Sequence, residues 1–193
     1  MSIRPNIFGV NLQQFIEQFG KTEAAEAKEI FEKYENSLVV IDNERSYDIN
    51  KTEDEKLIVE ALTEGGAKAV DLEDSHFEII DCLLNLQSEI IFTDSNEWRY
   101  YHQEYFEGLT EKVDAKIKML IEYFLEGRKI FETGITRTEL PYAYLTLSEE
   151  KQLLDDMSLN WDKYNDSEGF GKQLKEWVEE FVGKGKDLIF TQG

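Results

Sequence analysis

The stretch "FGKQLKEWVEEFVGKGKDLIFT" (residues 170–191) changes its period part-way along, and the rest of the chain is best read outward from that change. Phe170, Leu174, Trp177, Val178, Phe181 and Val182 recur three and four residues apart, the spacing of one helix face. "GKGK" breaks the pattern, and "DLIFT" reads as a strand. A helix with one apolar stripe that runs directly into a strand has to bury that stripe against a sheet or another helix.

Upstream, "LPYAYLTLSEEKQLLDDM" reads as an extended approach to a helix capped at Ser148. "TEKVDAKIKMLIEYFLEG" and "SNEWRYYHQEYFEG" read as two further helices, the first with Val113, Ile117, Leu120, Ile121 and Phe124 in helical register. Asp74 or Ser75 opens another, "HFEIIDCLLNLQ", with Ile79, Ile80, Leu83 and Leu84 inward. Thr52 and Glu55 form a capping-box pattern before a helix that Gly65-Gly66 ends. "TEAAEAKEIFEKYE" is an amphipathic helix with Ala24, Ala27, Phe31 and Tyr34 on one stripe, and "SLVVID" (37–42) is read as a strand. At the start, "NIFGV" is β-like, and Asn11 caps a helix "LQQFIEQFG" that stops at Gly20. The expected fold class is α+β: a mostly helical single domain over residues 1–193, with a small sheet of two to four short strands.

Composition narrows the function classes. Hydrophobic residues make up 41% of the 193, enough for a packed core. No window reaches the roughly 18 uninterrupted apolar residues of a membrane span, and "MSIRPNIFGV" lacks the apolar segment of a signal peptide, so a cytoplasmic location is expected. Cys82, the single cysteine, excludes an intrachain disulfide and any multi-cysteine zinc site, and its apolar neighbours suit a small buried hydrophobe. The chain carries 41 Asp and Glu against 21 Lys and Arg, a net charge of -20. Nucleic-acid and anionic-membrane affinity rest on Lys and Arg meeting phosphates, so neither is an expected partner. A basic protein is. No basic residue falls between Lys68 and Arg99, whereas Asp71, Glu73, Asp74, Glu78, Asp81, Glu89, Asp94 and Glu97 all do.

Two ends of the chain carry a resemblance. "FGVNLQQFIEQFG", "LPYAYLTLSEE" and "WVEEFVGKGKDLIF" resemble an uncharacterised family of small bacterial cytosolic proteins, with a similar G-V-x-L opening and Y-x-Y-L-T-x-x-E segment. That resemblance implies a bacterial origin and a single domain, and it transfers no catalytic residue.

Candidate sites are few. If "NEWRYYHQEYF" is helical, Trp98, Tyr101, His102 and Tyr105 fall at i, i+3, i+4 and i+7, on one face. That stripe is either core or the lining of a binding surface. His76 beside Asp74 and Ser75 is not a triad, because adjacent side chains cannot converge as nucleophile, base and orienter. "DKYNDSEGFGKQ" fails as a calcium loop, with Tyr164, Ser167 and Gln173 where ligands and the turn glycine belong, and fails as a phosphate loop for want of the spacer between its glycines. Pairs such as Glu149-Glu150 and Asp155-Asp156 arise by composition. No catalytic residue, metal site or cofactor is assigned.

The leading expectation is a non-catalytic protein-binding module, in its most concrete form an immunity or antitoxin-like protein that neutralises a basic partner. Its surface would be Asp71, Glu73 and Asp74 with Trp98, Tyr101, His102 and Tyr105. The alternative is a small-ligand-binding protein or enzyme with an aromatic pocket around His102.

Overall fold

The computed structural model describes residues 5–42, 51–65, 84, 88, 90–93, 98–128, 143–167 and 169–192. Among them are eight helices, α1 (Leu12–Gln18), α2 (Ala24–Asp42), α3 (Lys51–Glu64), α4 (Trp98–Thr110), α5 (Ala115–Glu126), α6 (Leu147–Leu159), α7 (Trp161–Tyr164) and α8 (Phe170–Lys184). Four strands accompany them, β1 (Pro5–Val10), β2 (Ile90–Thr93), β3 (Ala143–Leu145) and β4 (Asp187–Gln192). The class is α+β, as the sequence leads one to expect. No helix among the described residues is long and apolar enough to cross a membrane.

The chain divides into two compact units. One comprises Met1–Leu12, Ser88–Ile130 and Thr136–Gly193; the other comprises Gln13–Gln87 and Phe131–Ile135.

The first unit holds the sheet, in the order β2-β1-β4-β3 with every pair antiparallel. Ile7 lies opposite Phe190, which lies opposite Ala143, so these three share a face, as do Leu188 and Leu145. That face packs with Phe106 and Leu109 of α4, Ile121 and Phe124 of α5, Leu153 and Met157 of α6, and Trp177, Val178 and Phe181 of α8. Each such side chain contributes about 1.5–3 kcal/mol of burial, which is why the stripe of α8 is legible in the sequence. Ring geometry adds direction: Phe124 stacks on Phe106 at 5.1 Å and meets Phe190 edge-on at 5.6 Å.

Local signals set the helix ends. Asp114 starts α5 by accepting the N–H groups of Lys116 and Ile117 at 2.9 and 3.1 Å. Gly185, at φ 64°, ends α8 in the left-handed region, and the Lys186 N–H turns back to the Phe181 carbonyl at 3.0 Å. Asp166 accepts from Phe170 and Gly171 at 3.2 and 2.8 Å, so "DKYNDSEGFGKQ" holds the end of α7, a turn and the first turn of α8. The start of α6 differs from the expectation. Its cap is Thr146, in a reciprocal capping box with Glu149, and Ser148 lies inside the first turn. Thr146 wins because only it stands three residues before a glutamate that reaches back to its N–H.

In the second unit, α2 packs beside α3. Phe15, Phe19, Ala27, Phe31, Ile58, Ala61 and Leu62 are buried. The Gly20 and Thr22 N–H groups both donate to the Leu62 carbonyl, at 2.8 and 3.2 Å. "SLVVID" is not a strand: α2 continues through it to Asp42. A run of three β-branched residues, Val39, Val40 and Ile41, is too short to end a helix already propagating from Ala24, since extension adds a bond per residue whereas a new strand needs a partner. The segment "HFEIIDCLLNLQ" lies outside the described residues except for Leu84, which is buried.

Candidate functional site

A carboxyl far from its ordinary chemistry lies where the first turn of α6 meets the start of β4. Three acids at this junction, Glu149, Glu150 and Asp187, are handled in three different ways.

Glu149 faces α5. Its Oε2 accepts the Thr146 N–H at 2.8 Å, the Thr146 hydroxyl at 2.9 Å and Arg128 Nη1 at 2.7 Å. Arg128, just past the end of α5, also donates to the Tyr144 carbonyl at 3.3 Å. Its guanidinium lies 4.4 Å from the Tyr123 ring centre and 4.0 Å from that of Tyr144. Burial is the largest single influence and opposes the charge on both partners, but the favourable causes together outweigh it, the mutual hydrogen bond and charge attraction for both and the Thr146 bonds for Glu149: the Glu149 carboxyl is held below its ordinary range and the Arg128 guanidinium above its own.

Glu150 faces β4 and has no exposed surface. Its Oε1 accepts the Leu188 N–H at 2.7 Å, while Oε2 is sealed with no hydrogen-bond partner among the described residues. Burial pushes this carboxyl up to about 8. The Leu188 N–H opposes the rise, Asp187 and Glu149 add to it, and Lys151 opposes it slightly. At neutral pH Glu150 is therefore an uncharged acid. Asp187, the first residue of β4, joins two helix starts: Oδ1 accepts the Leu147 N–H at 2.8 Å and Oδ2 the Leu12 N–H at 2.9 Å. One carboxylate thus satisfies an orphan donor of both α6 and α1.

A second polar group lies under α4. Tyr164 is buried and donates to Asp156 Oδ2 at 2.5 Å, while Asn160 donates to Oδ1 at 2.8 Å. Tyr105 donates to the Tyr164 carbonyl at 3.0 Å. Burial raises both phenols above their ordinary range, so neither serves as a base near neutrality. Gly171 follows from this packing, because a Cβ there would meet the Tyr164 carbonyl.

The four aromatic-stripe positions all fall on α4, as the spacing predicts. Tyr105 is half-buried, with its ring 5.5 Å from Phe106 and 5.9 Å from Phe170. The side chains of Trp98, Tyr101 and His102 lie outside the described residues, as do Asp71, Glu73, Asp74, His76 and Cys82. The outward face of α4 carries Glu104 and Glu107, both exposed, and Glu111 follows at the same spacing. Among the described residues no group of three His, Cys, Asp or Glu side chains could hold a metal ion.

Sequence reasoning set Glu150 aside as one of many acids. Its signal is nevertheless there: Glu150, Leu153 and Met157 fall at i, i+3 and i+7, which puts a carboxyl on the buried stripe of α6. Chemically, a sealed neutral acid has no access to a substrate, so the junction is suited to proton-linked structural work and not to turnover. Comparisons with models of protein families, with curated proteins and with solved structures found no match to this chain.

Proposed function

We propose that the protein is a non-catalytic binding module that docks a basic protein through its acidic surface, as a cytoplasmic immunity or antitoxin-like protein would. The observation that carries this reading is the net charge of -20, presented in part by exposed Glu104 and Glu107 of α4 and by Glu111 just past its end. The acidic run from Asp71 to Glu97 precedes that helix in the sequence and extends the same charge. Ion pairs on the outer face of α8 neutralise their acids within the helix, at Lys172–Glu176, Lys175–Glu179 and Glu180–Lys184. α4 carries one lysine or arginine, Arg99, beside Glu104 and Glu107, and the net charge of -20 sets a negative field around the chain. Such a field speeds the approach of a cationic protein and repels phosphate-rich polymers.

Affinity capture from native lysate at low and high salt, followed by titration of each captured protein, tests the proposal. A basic partner should bind saturably and more weakly as salt rises. Replacing Asp71, Glu73 and Asp74 together by Asn, Gln and Asn, or Glu104 and Glu107 by Gln, should weaken it about tenfold, equivalent to about 1.4 kcal/mol. Recovery of no basic partner at either salt, or tight binding of DNA or acidic lipid instead, overturns the reading.

A further inference from the structure

We propose that Glu150 is a proton-dependent latch between the first turn of α6 and β4: its neutral carboxyl seats the helix on the sheet, and loss of the proton to solvent releases that junction. The geometry argues for it. Oε1 is held by one donor, the Leu188 N–H, and Oε2 is sealed without a partner among the described residues. A neutral carboxyl in that position forgoes one hydrogen bond. A carboxylate in the same place would be a buried ion with a single donor, which is far less tolerable.

The surroundings offer the ion no relief. The charged groups that act on Glu150 are Asp187 of β4 and, from α6 itself, Glu149 and Lys151. Two of the three are negative. Asp187 cannot turn away without dropping the N–H groups of Leu12 and Leu147, and Glu149 is fixed by Thr146 and Arg128. Lys151 is exposed, so water screens it. From β3, α5 and α8 the core receives apolar side chains, among them Leu145, Ile121 and Phe181. The α7 hydroxyl, on Tyr164, is committed to Asp156. The route left for an ionised Glu150 is to move the first turn of α6 until water reaches Oε2, which breaks the bonds to Leu188 and Leu147. The upward push on its carboxyl, to about 8, places this event just above neutrality.

Carbon-13 NMR of the Glu150 carboxyl and amide hydrogen exchange test the latch in the whole chain. The carboxyl should titrate above pH 6.5, and exchange at Leu188 relative to Ile189 should rise about tenfold from pH 7 to pH 9, as linkage to one proton requires. In Glu150→Gln, which keeps an acceptor for Leu188 and cannot ionise, that ratio should stay constant. A carboxyl that titrates in the ordinary glutamate range near pH 4–5 overturns the proposal. So does a ratio that is constant in the wild type or climbs equally in the variant. If Glu150→Gln does not fold, the wild-type titration and exchange decide by themselves.

Discussion

On the side of α6 that faces Arg128, the Glu149 carboxylate gathers three donors within 2.9 Å and keeps some exposure to water. On the side that faces β4, the adjacent Glu150 has one donor and no water. One helical turn therefore lowers one carboxyl and raises the next, and burial alone does not decide the direction, since it opposes the charge at both. The donors each carboxyl finds and the sign of its charged neighbours decide it: Thr146 and the Arg128 cation for Glu149, one N–H and two acids for Glu150.

The pH response separates the two sides most sharply. Glu150 has a folded pKa raised from 4.5 to about 8, so the folded state keeps a proton that the unfolded chain releases, and stability falls as pH climbs through that interval and levels off above it. Glu150→Gln should remove that fall, so that its stability gains on the wild type by up to about 1.4 kcal/mol per pH unit between pH 5 and 8 in urea titrations. A constant difference across that range would mean the carboxyl is not held neutral. Glu149 carries the opposite sign: its contribution is complete above the unfolded range and disappears as pH drops through its lowered folded value.

Next in size, Asp187→Ala should cost about 2–3 kcal/mol in the same titrations, because it removes the cap of two helix starts at once. It should also let the Glu150 carboxyl titrate lower, because a negative neighbour has gone. Arg128→Ala should cost about 2 kcal/mol by leaving a partly buried Glu149 short of a donor, and should weaken the acid-side dependence at that site. Thr146→Ala should cost about 1 kcal/mol, less than Asp187→Ala, since one capping box is lost. Lys184→Ala on the exposed end of α8 should change stability by less than about 0.5 kcal/mol.

Much of this architecture is legible in the residues. The stripe Leu174, Trp177, Val178 and Phe181 announces α8, and Ile117, Leu120, Ile121 and Phe124 announce α5, because each has a period long enough to exclude the alternative, while the break at "GKGK" marks off "DLIFT" as β4. "SLVVID" misleads because four apolar residues, Leu38 to Ile41, fit a strand or a helix equally, and the neighbouring turns of α2 decide. β2 has no such advance notice: "IIFT" has only four residues, and what makes it a strand is pairing with Asn6–Gly9, which lie far away in the sequence. The junction at Glu150 is legible only in half. Its helical spacing marks an acid on an apolar stripe, but the Leu188 N–H, the carboxylate of Asp187 and the sealed oxygen come from a strand some forty positions later.

The sheet order has a kinetic consequence. β1 is flanked by β2 and β4, and its longest pairing runs from Pro5↔Gln192 to Val10↔Asp187, among the largest sequence separations in the chain. Contacts of such high order reward the chain only after a long loop has closed, so folding should be slow for its size. On the ribosome, at about 5–20 residues per second, a nascent β1 waits on the order of ten seconds or more for β4 to emerge, with the backbone N–H and C=O groups of that edge unpaired throughout.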